Sequence, residues 1–187
     1  MSKKEAGVSY VDCSNRDEPL RKNELCEIDI SQFGSNCSKA QKFGYSMGKP
    51  CIFIKLNKIY GWVPPVFETV DELPEDMPGY LRDEIKSQYS DGQNKITKKM
   101  VWLSCQGENA ADKENIGELS ITPYPGIPAA YFPFMRQPGY TSPMVAIHFK
   151  RPEPAVLINI ECKAWFKGVV HNRRDRVGSV HFELLVD

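Results

Sequence analysis

Val156-Leu157-Ile158-Asn159-Ile160-Glu161-Cys162-Lys163-Ala164-Trp165-Phe166 is the stretch on which the fold turns. In an extended chain, Val156, Ile158, Ile160, Cys162, Ala164 and Phe166 line one face. Leu157, Asn159, Glu161, Lys163 and Trp165 line the other, because successive side chains of a strand point to opposite sides. No helical period fits so long an alternation. One apolar and one mixed face is the mark of an antiparallel sheet packed on a single side.

Working outward, the same period recurs. Val101, Leu103 and Cys105 alternate with Trp102 and Ser104, and Val145, Ile147 and Phe149 alternate with Ala146 and His148. A last strand covers Val180 to Val186, after a basic turn around residues 167–178. Upstream, Pro50 to Trp62 reads as a strand with Ile52, Ile54 and Leu56 on one face, stopped by Pro64-Pro65. Residues 66–99 are rich in Pro, Asp and Glu; Pro78 with Leu81 and Ile85 predicts one short surface helix there, and residues 88–99 an exposed loop. Residues 1–50 are polar and aperiodic, and read as loops and short strands held covalently rather than by a core of their own. The expected architecture is mainly β: an immunoglobulin-like antiparallel β-sandwich with long disulfide-stapled loops, in a single domain of residues 1–187 whose sandwich core is 51–187. "Immunoglobulin-like" is architectural only, since Ile160 stands where a tyrosine would precede the second core cysteine.

Six cysteines, Cys13, Cys26, Cys37, Cys51, Cys105 and Cys162, carry the next signal. None forms a Cys-x-x-Cys pair, which argues against a zinc ribbon or a thioredoxin-like motif. An even number at wide spacing fits three disulfides, with fifteen connectivities open; six buried free thiols are the alternative. Cys105 and Cys162 both fall on apolar faces, so a bridge between them would tie two strands through the core, much as in immunoglobulin domains. Disulfides require an oxidising compartment.

Lysine plus arginine equals aspartate plus glutamate at 24 each, so no overall field points to nucleic acid or an anionic membrane. Arg173-Arg174-Asp175-Arg176 reads as a solvated loop. No stretch reaches the about 18 apolar residues of a membrane helix, and Met1-Ser-Lys-Lys-Glu5 lacks the apolar run of a signal peptide. His148, His171 and His181 are scattered through strands and the basic turn, where solvent-facing or hydrogen-bonded roles are the rule. No nucleophile elbow, P-loop, dinucleotide fingerprint or zinc-helix motif occurs. The expectation is no catalytic residue, no cofactor and no metal.

Asn36-Cys37-Ser38 is an N-glycosylation sequon, and it leads into Gly44-Tyr45-Ser46-Met47-Gly48-Lys49-Pro50-Cys51 and then Ile52-Phe53-Ile54-Lys55-Leu56-Asn57. This run, with Tyr131-Phe132-Pro133-Phe134 and Ile160-Glu161-Cys162-Lys163-Ala164, resembles the beta subunits of sodium/potassium and proton/potassium pumps. In that family a Gly-Tyr-x-x-Gly-x-Pro-Cys stretch enters an Ile-rich strand, and a Tyr-Tyr-Pro-Tyr-Tyr signature follows later. The resemblance runs from Cys13 to the C-terminus, and all six cysteines keep family order. Lys39 departs from the usual Gly, and Met135 from a second Tyr. Residues 107–116 are more similar to invertebrate members.

The resemblance implies an extracellular domain of a type II plasma-membrane glycoprotein, with its cytoplasmic tail and membrane helix outside this chain. It implies a non-catalytic subunit that helps the catalytic alpha subunit fold, reach the plasma membrane and set its potassium affinity. Pump-independent adhesion to other beta subunits, a junctional scaffold role, or service to a proton/potassium pump are the alternatives. It implies the sequential pairs Cys13–Cys26, Cys37–Cys51 and Cys105–Cys162, a glycan on Asn36, and alpha-subunit contact through Tyr131, Phe132, Pro133 and Phe134. The prolines at 123, 125, 128 and 138 make that last segment a stiff loop.

Overall fold

The segments in which apolar and polar residues alternate, at Met100–Gly107, Met144–Phe149 and Ile158–Trp165, become strands. The computed structural model describes residues 5–14, 16, 20–87, 96–172, 174–175 and 177–187. In chain order its strands are β1 (Ser9–Val11), β2 (Glu24–Cys26), β3 (Cys51–Lys55), β4 (Met100–Gly107), β5 (Leu119–Thr122), β6 (Gly126–Pro128), β7 (Met144–Phe149), β8 (Ile158–Trp165) and β9 (Ser179–Leu184). Two α-helices join them, α1 (Gly79–Ser87) and α2 (Ala110–Asn115). β3, β7 and β5 form an antiparallel three-stranded sheet, and β6, β4, β8 and β9 an antiparallel four-stranded one. β1 and β2 pair separately, in parallel.

The two larger sheets face each other across an apolar interior. Ile147 and Phe149 of β7 meet Ile158, Ile160 and Cys162 of β8, while Val145 meets Val101, Leu103 and Ala164. Each fully buried aliphatic or aromatic side chain contributes about 1.5–3 kcal/mol. The sandwich is as the period-two pattern predicts.

Three details correct the sequence reading. The four-stranded sheet is packed on both faces. Trp102 lies directly opposite Trp165, and both point away from the sandwich into a second core with Phe67, Leu73, Met77, Leu81, Ile85, Ile96 and Met100. The tryptophans of the "mixed" face are therefore 0% and 1% exposed. The predicted helix forms, but as the lid of this second core: Leu81 and Ile85, one turn apart on its inner side, are 0% and 1% exposed. Of the loop expected at 88–99, residues 88–95 lie outside the described residues; Ile96 is buried, its N–H donating to the Glu68 carbonyl at 2.6 Å.

The second correction concerns the Cys105–Cys162 bridge. Its two residues face each other on adjacent strands of one sheet, so it staples β4 to β8 rather than joining the two sheets as in immunoglobulin domains. The third concerns β3, which ends at Lys55 instead of running to Trp62. Lys55 pairs with Met144, and the residue before Met144 is Pro143, which has no N–H to extend the ladder.

Helix α2 was not anticipated, although its signal stands in the sequence. Asn109 Oδ1 accepts from Asp112 N at 2.9 Å, and Asp112 Oδ2 accepts from Asn109 N at 3.4 Å, a reciprocal capping box. Gly107 allows the helix to sit against β4, since a Cβ there would come within 2.3 Å of the Asp112 carbonyl carbon. At the N-terminal end, residues 30–47 make short 3-10 turns that rest on the sandwich through Phe33, which packs with Cys37, Cys51 and Ala146.

Candidate partner-binding surface

The six cysteines form the bonds Cys13–Cys26, Cys37–Cys51 and Cys105–Cys162, with no free cysteine among the described residues. Two of them brace loops beside candidate site residues. Asn36 is exposed on a 3-10 turn of Ser35–Cys37, directly before the buried, bonded Cys37.

Tyr131, Phe132, Pro133 and Phe134 leave β6 through a short 3-10 turn (Ala129–Tyr131) and are all half-buried. They form neither a free loop nor core. The Tyr131 hydroxyl donates to the Glu27 carbonyl at 3.1 Å, and burial pushes its pKa up to about 12. Phe132 meets Trp62 edge to face with centroids 5.4 Å apart, and Trp62 meets Phe166 in the same way. Tyr131 and Phe132 thereby reach the edge of the cluster around Val101, Leu103 and Ala164.

Phe134 belongs to an outer group. Its ring lies 5.0 Å from that of Tyr140, and the Lys58 ammonium sits 5.2 Å from the Phe134 centroid and 5.6 Å from the Tyr140 centroid. Its carbonyl accepts from Gly61 N at 3.0 Å, inside a single bridge between Tyr60 and Phe134. The Gln137 side chain accepts from Met135 N at 2.6 Å and donates to the Pro133 carbonyl at 3.3 Å. Backbone and side chain are thus both anchored. Beside this anchored segment, Tyr60 and Met135 are 61% and 47% exposed.

The histidines remain apart in role. His181 Nδ1 lies 2.6 Å from Glu108 Oε1, and His171 meets Trp165 edge to face with its Nε2 2.9 Å from the Ala164 carbonyl. His148 departs from the expectation for a strand histidine. It is buried, its Nε2 has no hydrogen-bond partner among the described residues, and burial, then the charges of Lys150 and Lys49, hold its pKa below the usual value. Among the described residues no group of three His, Cys, Asp or Glu side chains could hold a metal ion. In the basic turn, Arg174 and Asp175 are exposed, while Arg173 and Arg176 lie outside the described residues.

The fold is a disulfide-bonded β-sandwich that carries a braced, half-buried aromatic segment at Tyr131 to Phe134. Residues 2–182 match the family model described as "Sodium / potassium ATPase beta chain", and the chain belongs to that family. The family is that of an accessory, non-catalytic chain of a membrane ion pump. Three relatives are invertebrate proteins. "Sodium/potassium-transporting ATPase subunit beta-2" of Drosophila melanogaster is 42% identical over 181 residues, covering 97% of this chain and 55% of that protein. "Sodium/potassium-transporting ATPase subunit beta-1" of the same fly is 40% identical over 170 residues, covering 90% and 52%. "Probable sodium/potassium-transporting ATPase subunit beta-3" of Caenorhabditis briggsae is 31% identical over 163 residues, covering 87% and 45%. The chain spans about half the length of the curated relatives it matches. No helix among the described residues is long and apolar enough to cross a membrane.

Proposed function

We propose that this chain is extracellular sequence of a beta subunit that assembles with the catalytic alpha subunit of a sodium/potassium-transporting P-type ATPase at the plasma membrane, through Tyr131, Phe132, Pro133 and Phe134. In this reading it assists folding and delivery of the alpha subunit and tunes its potassium affinity, anchored by a membrane helix outside this chain. Sodium/potassium is preferred to proton/potassium because the relatives' names say so. The observation that carries the assembly role is the anchoring of the aromatic segment by Glu27, Gly61 and Gln137. A segment already held in place loses little entropy on binding, and half-buried aromatic rings still offer large faces to a partner.

The test is capture of the catalytic chain by a full-length, membrane-anchored version carrying Phe134→Ala. Phe134 contacts Tyr140 and Lys58 rather than the sandwich interior, so it separates binding from folding better than Phe132. Capture is expected to fall about 30-fold, equivalent to about 2 kcal/mol. Melting of the 187-residue chain is expected to shift by about 2–4 °C. Undiminished capture would refute the contact.

The same reading makes Asn36 a glycan acceptor, supported by its exposure and by the sequon. Mass spectrometry of the Asn36 peptide from cell-surface protein is expected to find partial occupancy, because closure of Cys37–Cys51 competes with modification. Full occupancy is expected once Cys37 and Cys51 are both replaced by serine. An unmodified Asn36 in both forms would contradict the assignment.

A further inference from the structure

A three-stranded sheet lies over a four-stranded one, and part of the larger sheet's inner face is left uncovered. The uncovered part borders β3, an edge strand of the smaller sheet, as an open groove of about 620 Å³. Its floor is Leu103, Ala164 and Phe166, and its far wall runs from Val177 to Val180. Val180 pairs with Cys162 on the face that Phe182 and Leu184 turn to the core, yet it is 39% exposed. The near wall is residues 53–57 in succession, so the groove follows the backbone of β3 rather than one face of it. That backbone has unused hydrogen-bonding groups. In an antiparallel ladder, residue pairs alternate between exchanging both bonds and exchanging none. Phe149 N donates to the Pro50 carbonyl at 3.0 Å, which places Ile52–Ile147 and Ile54–Val145 among the bonded pairs. Phe53 and Lys55 therefore turn N–H and C=O away from β7, and among the described residues neither has a hydrogen-bond partner on that side.

We infer that an extended segment of a partner protein docks here, pairing with β3 as a fourth strand of its sheet and turning alternate apolar side chains into the groove. Two features select a strand over other occupants. The outward N–H and C=O groups of Phe53 and Lys55 recur at the spacing of a strand's own groups. The groove lies on the inner side of the same edge, where every second side chain of an added strand points. An acyl chain would cover Leu103 and Ala164 but leave the edge groups to water. A second copy pairing β3 with β3 would bring Ile52 and Ile54, which are already packed in its own core. The pairing is independent of the alpha-subunit contact assigned to Phe134, and either can fail alone.

Amide exchange followed by NMR on the full chain tests it, with a Glu-Val-Thr-Val-Thr-Val-Glu peptide as the probe. Saturable binding is expected, with a Kd below about 1 mM. At saturation, exchange at Phe53 and Lys55 is expected to slow at least about 10-fold, while Ile52 and Ile54, bonded already, stay within about 2-fold. Lys55→Pro removes an outward N–H and no ladder bond, and is expected to weaken the peptide at least about 10-fold. To separate strand pairing from a disturbed edge, Val180→Lys charges the far wall instead. It is expected to weaken the peptide by a similar factor with its melting temperature unchanged. Leu157→Lys, at an exposed position outside the groove, is expected to retain binding. Absence of saturation at about 1 mM, unchanged exchange at Phe53 and Lys55, or equal loss in Leu157→Lys would each overturn the inference. So would tighter binding of palmitate than of the peptide, or protection of Phe53 and Lys55 by dimerisation without the peptide.

Discussion

Replacing Cys105 and Cys162 together with alanine is expected to lower the unfolding free energy by about 4 kcal/mol. The bond closes the longest covalent loop, with 57 residues of separation, against 13 and 14 for the other two. In the chain-entropy account, the shorter pairs contribute about 3 kcal/mol each. Position adds to the effect. Cys105 and Cys162 are directly opposed on the two central strands of the four-stranded sheet, and both are buried in the interior between the sheets. Unfolding these strands without the staple frees a long segment that includes β5, β6 and β7. A domain of this kind has about 5–15 kcal/mol in total, so the variant should remain folded with a much reduced margin. Urea titrations of the variant and the parent chain measure the difference directly. A loss below about 1 kcal/mol would mean that strand pairing alone holds this sheet, contrary to the staple's assigned role.

Trp165→Ala is expected to cost about 3–5 kcal/mol, because it empties the second core rather than the sandwich interior. The ring packs in the cluster that α1 covers, opposite Trp102, and its Nε1 donates to the Ser104 hydroxyl at 2.8 Å. Ser104 is itself buried, so the truncation removes a hydrogen-bond partner as well as a large apolar volume. His171, edge to face with the ring at 4.5 Å between centroids, loses that contact in the same step. Trp165→Phe divides these contributions: it keeps most of the volume and deletes the donor, and is expected to cost about 1–3 kcal/mol. If Trp165→Ala cost no more than about 1 kcal/mol, the layer formed by residues 67–87 would not be part of the cooperative fold.

The legible parts of this fold are those governed by neighbours along the chain. Period two located β4, β7 and β8, since side-chain direction in a strand alternates whatever the strand packs against. Leu81 and Ile85, four residues apart, revealed the inner side of α1 for the same reason. Helix α2 is legible too, through Asn109 and Asp112, but the pattern is short and lacks an apolar period to support it. At the candidate surface, the stiffness of Tyr131 to Phe134 could be read from the flanking prolines, whereas the partition of their rings could not. Phe132 turns toward Trp62 and Phe134 toward Tyr140 and Lys58, and Trp62 and Lys58 are close only in space.

By itself, then, the sequence determined β4, β7, β8 and β9, the sandwich class, the cysteine-rich N-terminal part and the family, but not β5 or β6. These follow from local periodicity, from residue composition and from motifs that remain readable in an unfolded chain. Tertiary structure alone decided that the four-stranded sheet would be covered on both faces. Trp102 and Trp165 alternate with different neighbours along β4 and β8, and nothing local says whether such a face meets water or another layer. Folding residues 67–87 over it removed the tryptophans from water and buried Ile96, and the pairing of β4 with β8 placed the Cys105–Cys162 bond within one sheet rather than between two. Burial depends on which distant segment arrives, and the gain in apolar area that selects that segment is summed over the whole chain.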